Sequence, residues 1–311
     1  MANVPDLMTL LSLGSRQSQS PFGGQHKTIL IERDYCNAGD FVFLNILQHF
    51  ARREPDTRIL LVTLHHDWTN YSAAAAKCGF NIRRSQNMGN IDVINIMSLY
   101  YESLKSGQED SFNPCKHIKN CLSSFLADGD HSARDNTVET EHDQSPRVKN
   151  SSKPSIIMID DLSSLLLTGA SHDDVISLIC NTDKLMREQS LKLQPDRCNL
   201  FVLQTIAPLA KPKDSNLSTR DSQLSQLTMN LKNFCDLNII LRPLETGHST
   251  RVDGTIRIID NRLPARTKPA APSVSGLTLL GDTSIDIGTN KAFFFKLSDR
   301  RVRLTTSALI F

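Results

Sequence analysis

Apolar and polar positions along the chain alternate between short continuous apolar runs and longer stretches of helical period. The sharpest run is Ser155 to Leu166, SIIMIDDLSSLL, in which β-branched residues end abruptly in Asp160 and Asp161. Such a run reads as a buried parallel strand that delivers two carboxylates to one rim of a sheet. Further strands are expected at Lys27 to Ile31, Arg58 to Leu64, Ile91 to Ile96, Asn199 to Gln204 and Leu237 to Leu241. Between them, helical patterns cover Phe41 to Phe50, Ala73 to Cys78, Leu99 to Leu104, His117 to Leu126, Asp173 to Ser190 and Ser222 to Phe234. In the fifth of these, Val175, Ile176, Ile179 and Leu185 form the face expected to be buried. After Leu241 the helical period stops. Thr255 to Ile259, Phe293 to Leu297 and Val302 to Leu304 read as antiparallel strands, with Gly254 and Ser298-Asp299 as turn signals.

Strands alternating with helices, followed by strands alone, predict an α/β fold: a doubly wound, mainly parallel sheet with antiparallel strands added at its C-terminal side. That is a RecA-like arrangement. Residues 1–25 stand apart as an amphipathic segment, with Leu7, Leu10 and Leu11 on one face, and a Ser, Gln and Gly-rich spacer. Residues 26–311 are expected to form a single domain. Within it, 127–153 has almost no large apolar side chains and reads as a disordered surface insertion, since it cannot offset an ordering cost of about 1–2 kcal/mol per residue.

Composition narrows the picture only slightly. A chain of 311 residues with 39% apolar content has enough material for one large core. The formal charge of +2 excludes a global basic field, so any nucleic-acid contact must come from local patches. Seven scattered cysteines without a repeated pair spacing fit a reducing compartment. No run approaches the roughly 18 apolar residues of a membrane helix, and Leu7 to Leu13 is too short and lacks the basic flank of a signal peptide. A cytoplasmic or nuclear protein with no membrane contact is expected.

In open α/β sheets ligands sit at the carboxyl ends of the strands. The candidates there are Asp40, Asp67, Asp160, Asp161 and Gln204. Asp160 and Asp161 occupy the place of a Walker B acid, which holds the magnesium of a bound triphosphate. The matching phosphate loop should follow the first strand, at ERDYCNAGDF. It lacks the clustered glycines, the lysine and the Ser or Thr that the motif needs, and Asp40 at the start of the next helix would repel a triphosphate. His65 and His66 invite a metal or acid–base role, yet neighbours in an extended segment point to opposite sides, so a polar strand end is preferred. Cys115, His117 and Cys121 lack a fourth ligand at zinc spacing and read as helical core residues. Lys211, Lys213 and Arg220 lie in a loop after Gln204. They are either merely solvated or track a phosphate backbone.

The PDL-x-x-LL start, the segment LVTLHHDWTNYSAAAAKCGFNI, the strand IIMIDDLSSLLLTGA and the close FFFKLSDRRVRLTTSAL together resemble subunit six of the Elongator complex. The resemblance covers most of the chain, while the acidic insertion and the 205–235 region match weakly. It implies a relative of RecA ATPases without the phosphate-binding lysine, with no catalytic residues, no cofactor and no metal. It also implies partners: two related RecA-like subunits in a heterohexameric ring, the catalytic Elongator subunits, and tRNA whose wobble uridine is modified. In RecA-like ATPases a glutamine ending the equivalent of Asn199 to Gln204 senses phosphate and starts a nucleic-acid loop. That points to Gln204 and to Lys211, Lys213 and Arg220. The competing reading is a nucleotide hydrolase with an atypical phosphate site built on Asp160 and Asp161. The missing lysine, the principal charge of a P-loop site, favours the silent subunit.

Overall fold

The computed structural model describes residues 26–33, 40–53, 57–107, 112–128, 153–192, 199–206, 219–244, 252–261, 292–298 and 301–305. Nine strands are present among them: β1 (Lys27–Arg33), β2 (Arg58–Thr63), β3 (Ile91–Asn95), β4 (Ser155–Ile159), β5 (Leu200–Ile206), β6 (Leu237–Arg242), β7 (Gly254–Asp260), β8 (Ala292–Ser298) and β9 (Arg301–Thr305). Eight helices accompany them: α1 (Asp40–Arg53), α2 (Trp68–Lys77), α3 (Ile82–Asn87), α4 (Ile96–Lys105), α5 (Pro114–Asp128), α6 (Ser163–Leu167), α7 (His172–Ser190) and α8 (Thr219–Phe234).

The strands form one sheet in the order β3-β2-β4-β5-β1-β6-β7-β8-β9. The first six are parallel and β7, β8 and β9 are antiparallel additions beside β6. This is the RecA-like, doubly wound sheet expected from the element order. Two cores follow from the period of two along each strand. Ile29, Ile31, Ile59, Leu61, Ile156, Met158 and Val202 face α1 and α2, packing on Val42, Phe43, Ile46, Leu47 and Tyr71. Leu30, Leu60, Val62, Ile157, Ile159, Phe201 and Leu203 face the other way, against Ile118, Leu122, Val175, Ile179 and Leu227. With both faces covered, β4 and β5 can carry unbroken apolar runs, Ile156–Ile159 and Leu200–Leu203.

Several expectations need correction. Leu185 is 37% exposed, whereas Met186 beside it is fully buried, because Met186 falls about three helical turns after Val175 on the same face and Leu185 lies to one side of that stripe. The helix expected from Ala73 starts earlier, at Trp68, so that Trp68 and Tyr71 lie within α2. Gly254 is no turn residue: it opens β7, where a Cβ would lie 2.5 Å from the Arg242 carbonyl oxygen and 2.8 Å from the Phe295 ring. Only glycine permits that approach. Of the expected insertion at 127–153, Ala127 and Asp128 complete α5 and 129–152 lie outside the described residues.

A second polar feature belongs to the fold itself. Glu32, fully buried on β1, pairs with Lys232 of α8 at 2.6 Å and Arg242 of β6 at 3.0 Å. At the opposite end of the sheet, His26 Nε2 meets Asp183 of α7 at 2.8 Å, and Thr28 Oγ1 and Arg187 Nε both donate to the same carboxylate. Buried carboxylates are tolerated because each is both paired and hydrogen-bonded.

Candidate functional site at the carboxyl end of the sheet

Because β5 lies between β1 and β4, the carboxyl ends of three parallel strands are neighbours. They bring Arg33, Gln204, Asp160 and Asp161 together. Asp40 enters from the start of α1, where the helix dipole favours a negative charge. His65 and His66 arrive from the bend after β2.

Asp40 is the hub. Its Oδ2 lies 2.8 Å from His66 Nε2, and its Oδ1 accepts from Gln204 Nε2 at 2.9 Å and faces Arg33 Nη1 at 3.6 Å. Burial works to raise the Asp40 pKa, but the His66 hydrogen bond, the Arg33 charge and the Gln204 amide hold it below the usual carboxylate range. Reciprocally, the bond to Asp40 raises His66 above an ordinary histidine, so that its Nε2–H donates.

Asp160 is only 1% exposed and accepts three hydrogen bonds: from the His65 and His66 backbone amides at 3.2 Å each and from the Tyr71 hydroxyl at 2.7 Å. Burial pushes its carboxyl up to about 6; the Tyr71 bond opposes this, while the neighbouring Asp161 charge adds to it. The same burial, with Asp160 alongside, drives the Tyr71 phenol well above its usual value. Asp161, also 1% exposed, adopts a left-handed backbone at φ 45°, which short polar residues tolerate better than most. That turn aims its carboxylate at Arg33 Nη2, 3.7 Å away, and at His65 Nδ1, 3.6 Å away. The Ser163 and Ser164 hydroxyls donate to it as well. On either side of β4, the Asp160 amide donates to the Val62 carbonyl and the Leu162 amide to the Gln204 carbonyl. The acid pair is thus fixed by both neighbouring strands.

Four of the five acids and amides expected at this rim do gather: Asp40, Asp160, Asp161 and Gln204. Asp67 does not. It caps α2 through the Thr69 amide and points to solvent. The histidines are the main surprise. Their ring centroids are 4.4 Å apart and both rings face the acids, not opposite sides. The reason is that β2 stops at Thr63, and the chain then bends so that Asp160 binds both amides. Asp160 and Asp161 are both internal, and of the two only Asp161 supports the following helix. Among the described residues no three His, Cys, Asp or Glu side chains are placed to hold a metal ion. Cys115 is a core residue, and His117 and Cys121 meet one helical turn apart at 3.5 Å. Arg220 is the second residue of α8, whereas Lys211 and Lys213 lie outside the described residues, as does the loop at 34–39.

Sequence reasoning missed Arg33, the cation at the middle of the cluster. A signal was available: KTILIER places Glu32 and Arg33 in succession at the end of an apolar run, so opposite faces of a buried strand end receive opposite charges.

Fold and site together define a RecA-like α/β protein whose strand-end rim is occupied by its own acids, histidines and arginine. The sequence profile of Elongation complex protein 6 matches residues 5–274. This chain therefore belongs to the Elongation complex protein 6 family, and is an Elongator subunit with a RecA-like fold. Comparison with curated proteins finds no match. Among solved structures, a KaiC-like protein of Pyrococcus horikoshii OT3 is similar at 12% identity and a TM-score of 0.46, covering 91% of this chain and 89% of its own. An uncharacterized P. horikoshii protein, solved with an unknown peptide, is similar at 8% identity and a TM-score of 0.49, covering 90% and 91%. No helix among the described residues is long and apolar enough to cross a membrane.

Proposed function

We propose that this chain is a non-catalytic subunit of a heterohexameric ring, the accessory part of Elongator, in which it joins two related RecA-like subunits, binds tRNA and supports modification of the wobble uridine. The observation that carries the reading is the partner of Gln204. In an ATPase of this fold that amide senses a bound phosphate; here it is held by the Asp40 carboxylate at 2.9 Å. The Walker B-like acids support the same view. Asp160 accepts three hydrogen bonds and Asp161 is engaged by two serines beside Arg33 and His65, which supports an internal structural role for both. The hydrolase reading needs one of these acids on a metal-bound triphosphate, and these internal bonds favour the non-catalytic one over it.

Lys211 and Lys213, between β5 and α8, and Arg220, in the first turn of α8, are the proposed tRNA contacts, and the working compartment is the cytoplasm, with the nucleus as a second location. Co-expression with two related RecA-like subunits, followed by mass measurement of the purified material, tests the assembly. The expected product contains all three chains, two copies of each, and retains tRNA. Recovery of this chain by itself in the presence of both partners overturns the reading.

A further inference from the structure

We infer that Asp40 is a built-in substitute for a bound anion: its carboxylate fills a phosphate-type site made by Arg33, His66, Gln204 and the start of α1, and so fixes the end of β5 without a ligand. The inference rests on the reading above, that this RecA-like chain works without nucleotide, and adds how the strand-end site is kept in one state.

A strand, a short connection and a helix N-terminus form the usual place for a phosphate, because the helix start favours negative charge. In this chain the first residue of the 14-residue α1 supplies that charge itself. The Arg33 guanidinium, the His66 ring and one amide converge on it, His66 Nε2 at 2.8 Å, Arg33 Nη1 at 3.6 Å and Gln204 Nε2 at 2.9 Å. Those are the donor types that grip phosphate oxygens elsewhere. The fit is incomplete in a telling way. The Arg33 side chain is only 7% exposed, yet its Nε and Nη2 have no hydrogen-bond partner among the described residues, and its closest approaches to carboxylates, 3.6 and 3.7 Å, exceed the 2.7–2.9 Å of a charge-assisted bond. A carboxylate has two oxygens where a phosphate has more. The guanidinium therefore keeps donors that an anion larger than Asp40 would use. The consequence lies in β5: Gln204 is tied to α1 permanently, so the segment that leaves the sheet after Ile206 starts from one fixed position.

The test is anion rescue. Asp40→Gly in the full chain removes the carboxylate while keeping a residue that helix starts accept. Thermal unfolding is followed at pH 7 in chloride, acetate or inorganic phosphate of equal ionic strength. The variant is expected to melt lower than the native chain in chloride. It should recover by several degrees once acetate or phosphate exceeds its dissociation constant about 100-fold, while the native chain does not respond. An equal response in the native chain, or no response in the variant, overturns the inference. If Asp40→Gly does not fold, Asp40→Asn preserves the volume and removes the charge. The His66 ring, followed by NMR, should then titrate at lower pH than in the native chain, and an unchanged titration overturns the inference. Neither readout involves RNA or ring partners. Failure of the tRNA reading thus leaves these results intact, and a failed rescue alongside normal tRNA binding sinks this inference alone.

Discussion

Asp160→Asn offers a quantitative check on the energetics of the buried acid cluster. In the folded chain the Asp160 carboxyl is pushed from 3.8 up to about 6, chiefly by burial. At about 1.4 kcal/mol per pH unit, ionising it in the folded state costs about 3 kcal/mol more than in the unfolded state. The sign follows directly. A raised folded pKa contributes stability that is fully present below the unfolded value near 4 and is lost as pH rises through about 6. Asparagine does not ionise, so the stability advantage of the native chain over Asp160→Asn should shrink by roughly 2 kcal/mol between pH 4 and pH 7, the rest of the change lying below pH 4, where the unfolded carboxyl is already ionising. His66 titrates with the same sign, but Asp40 accounts for most of its raised value and remains in both chains, so most of that signal cancels. Urea unfolding at a series of pH values gives the difference. Trp68, the sole tryptophan, opens α2 two residues from His66 and packs on the core, which makes its fluorescence a natural probe. A difference that stays constant or widens from pH 4 to pH 7 refutes the assignment of Asp160 as a carboxyl destabilised by burial.

Three further outcomes are expected. Asp183 is held down to about 2: burial would raise it, but bonds from His26, Arg187 and Thr28 prevail. Asp183→Asn should therefore cost about 2 kcal/mol at neutral pH after discounting for the half-exposed Arg187, and the native chain should lose that stability only as pH falls from near 4 toward 2, as measured by acid titration of unfolding. Gly254→Ala forces a Cβ against the Arg242 carbonyl and the Phe295 ring and should cost about 2 kcal/mol or more in the same urea assay; a neutral result contradicts the close packing of β7 on β6 and β8. Reversing Lys211, Lys213 and Arg220 to Glu should weaken tRNA binding by the assembled ring. It should also reduce the slope of log K against log salt by about 0.7–0.9 for every phosphate that is no longer neutralised, and an unchanged slope means the loop is only solvated.

The legible parts of the chain were those governed by local pattern. Apolar runs such as those in SIIMI and NLFVLQ announced buried parallel strands, and the end of helical periodicity after Leu241 announced the antiparallel extension. The position of Asp160, Asp161 and Gln204 at one rim followed from strand direction alone. Nothing local predicts which donor answers which acid. Asp40 and Gln204 are separated by 164 residues, and Tyr71 and Asp160 by 89, so the first pairing depends on β5 lying beside β1 and the second on β4 lying beside β2. The histidine pair was misread for a related reason: alternation holds only while a strand continues, and β2 ends at Thr63. Gly254 was read as a turn because glycine marks turns in sequence, whereas the structure uses it to let two backbones and a phenyl ring approach.

A strand-end rim filled by the chain's own charges should take no nucleotide. Equilibrium titration of the purified full chain with magnesium-ATP, read by calorimetry, tests this most directly. No saturable heat is expected at millimolar nucleotide, because the Asp40 carboxylate occupies the position between Arg33, His66 and Gln204. Stoichiometric binding of magnesium-ATP by this chain alone contradicts it.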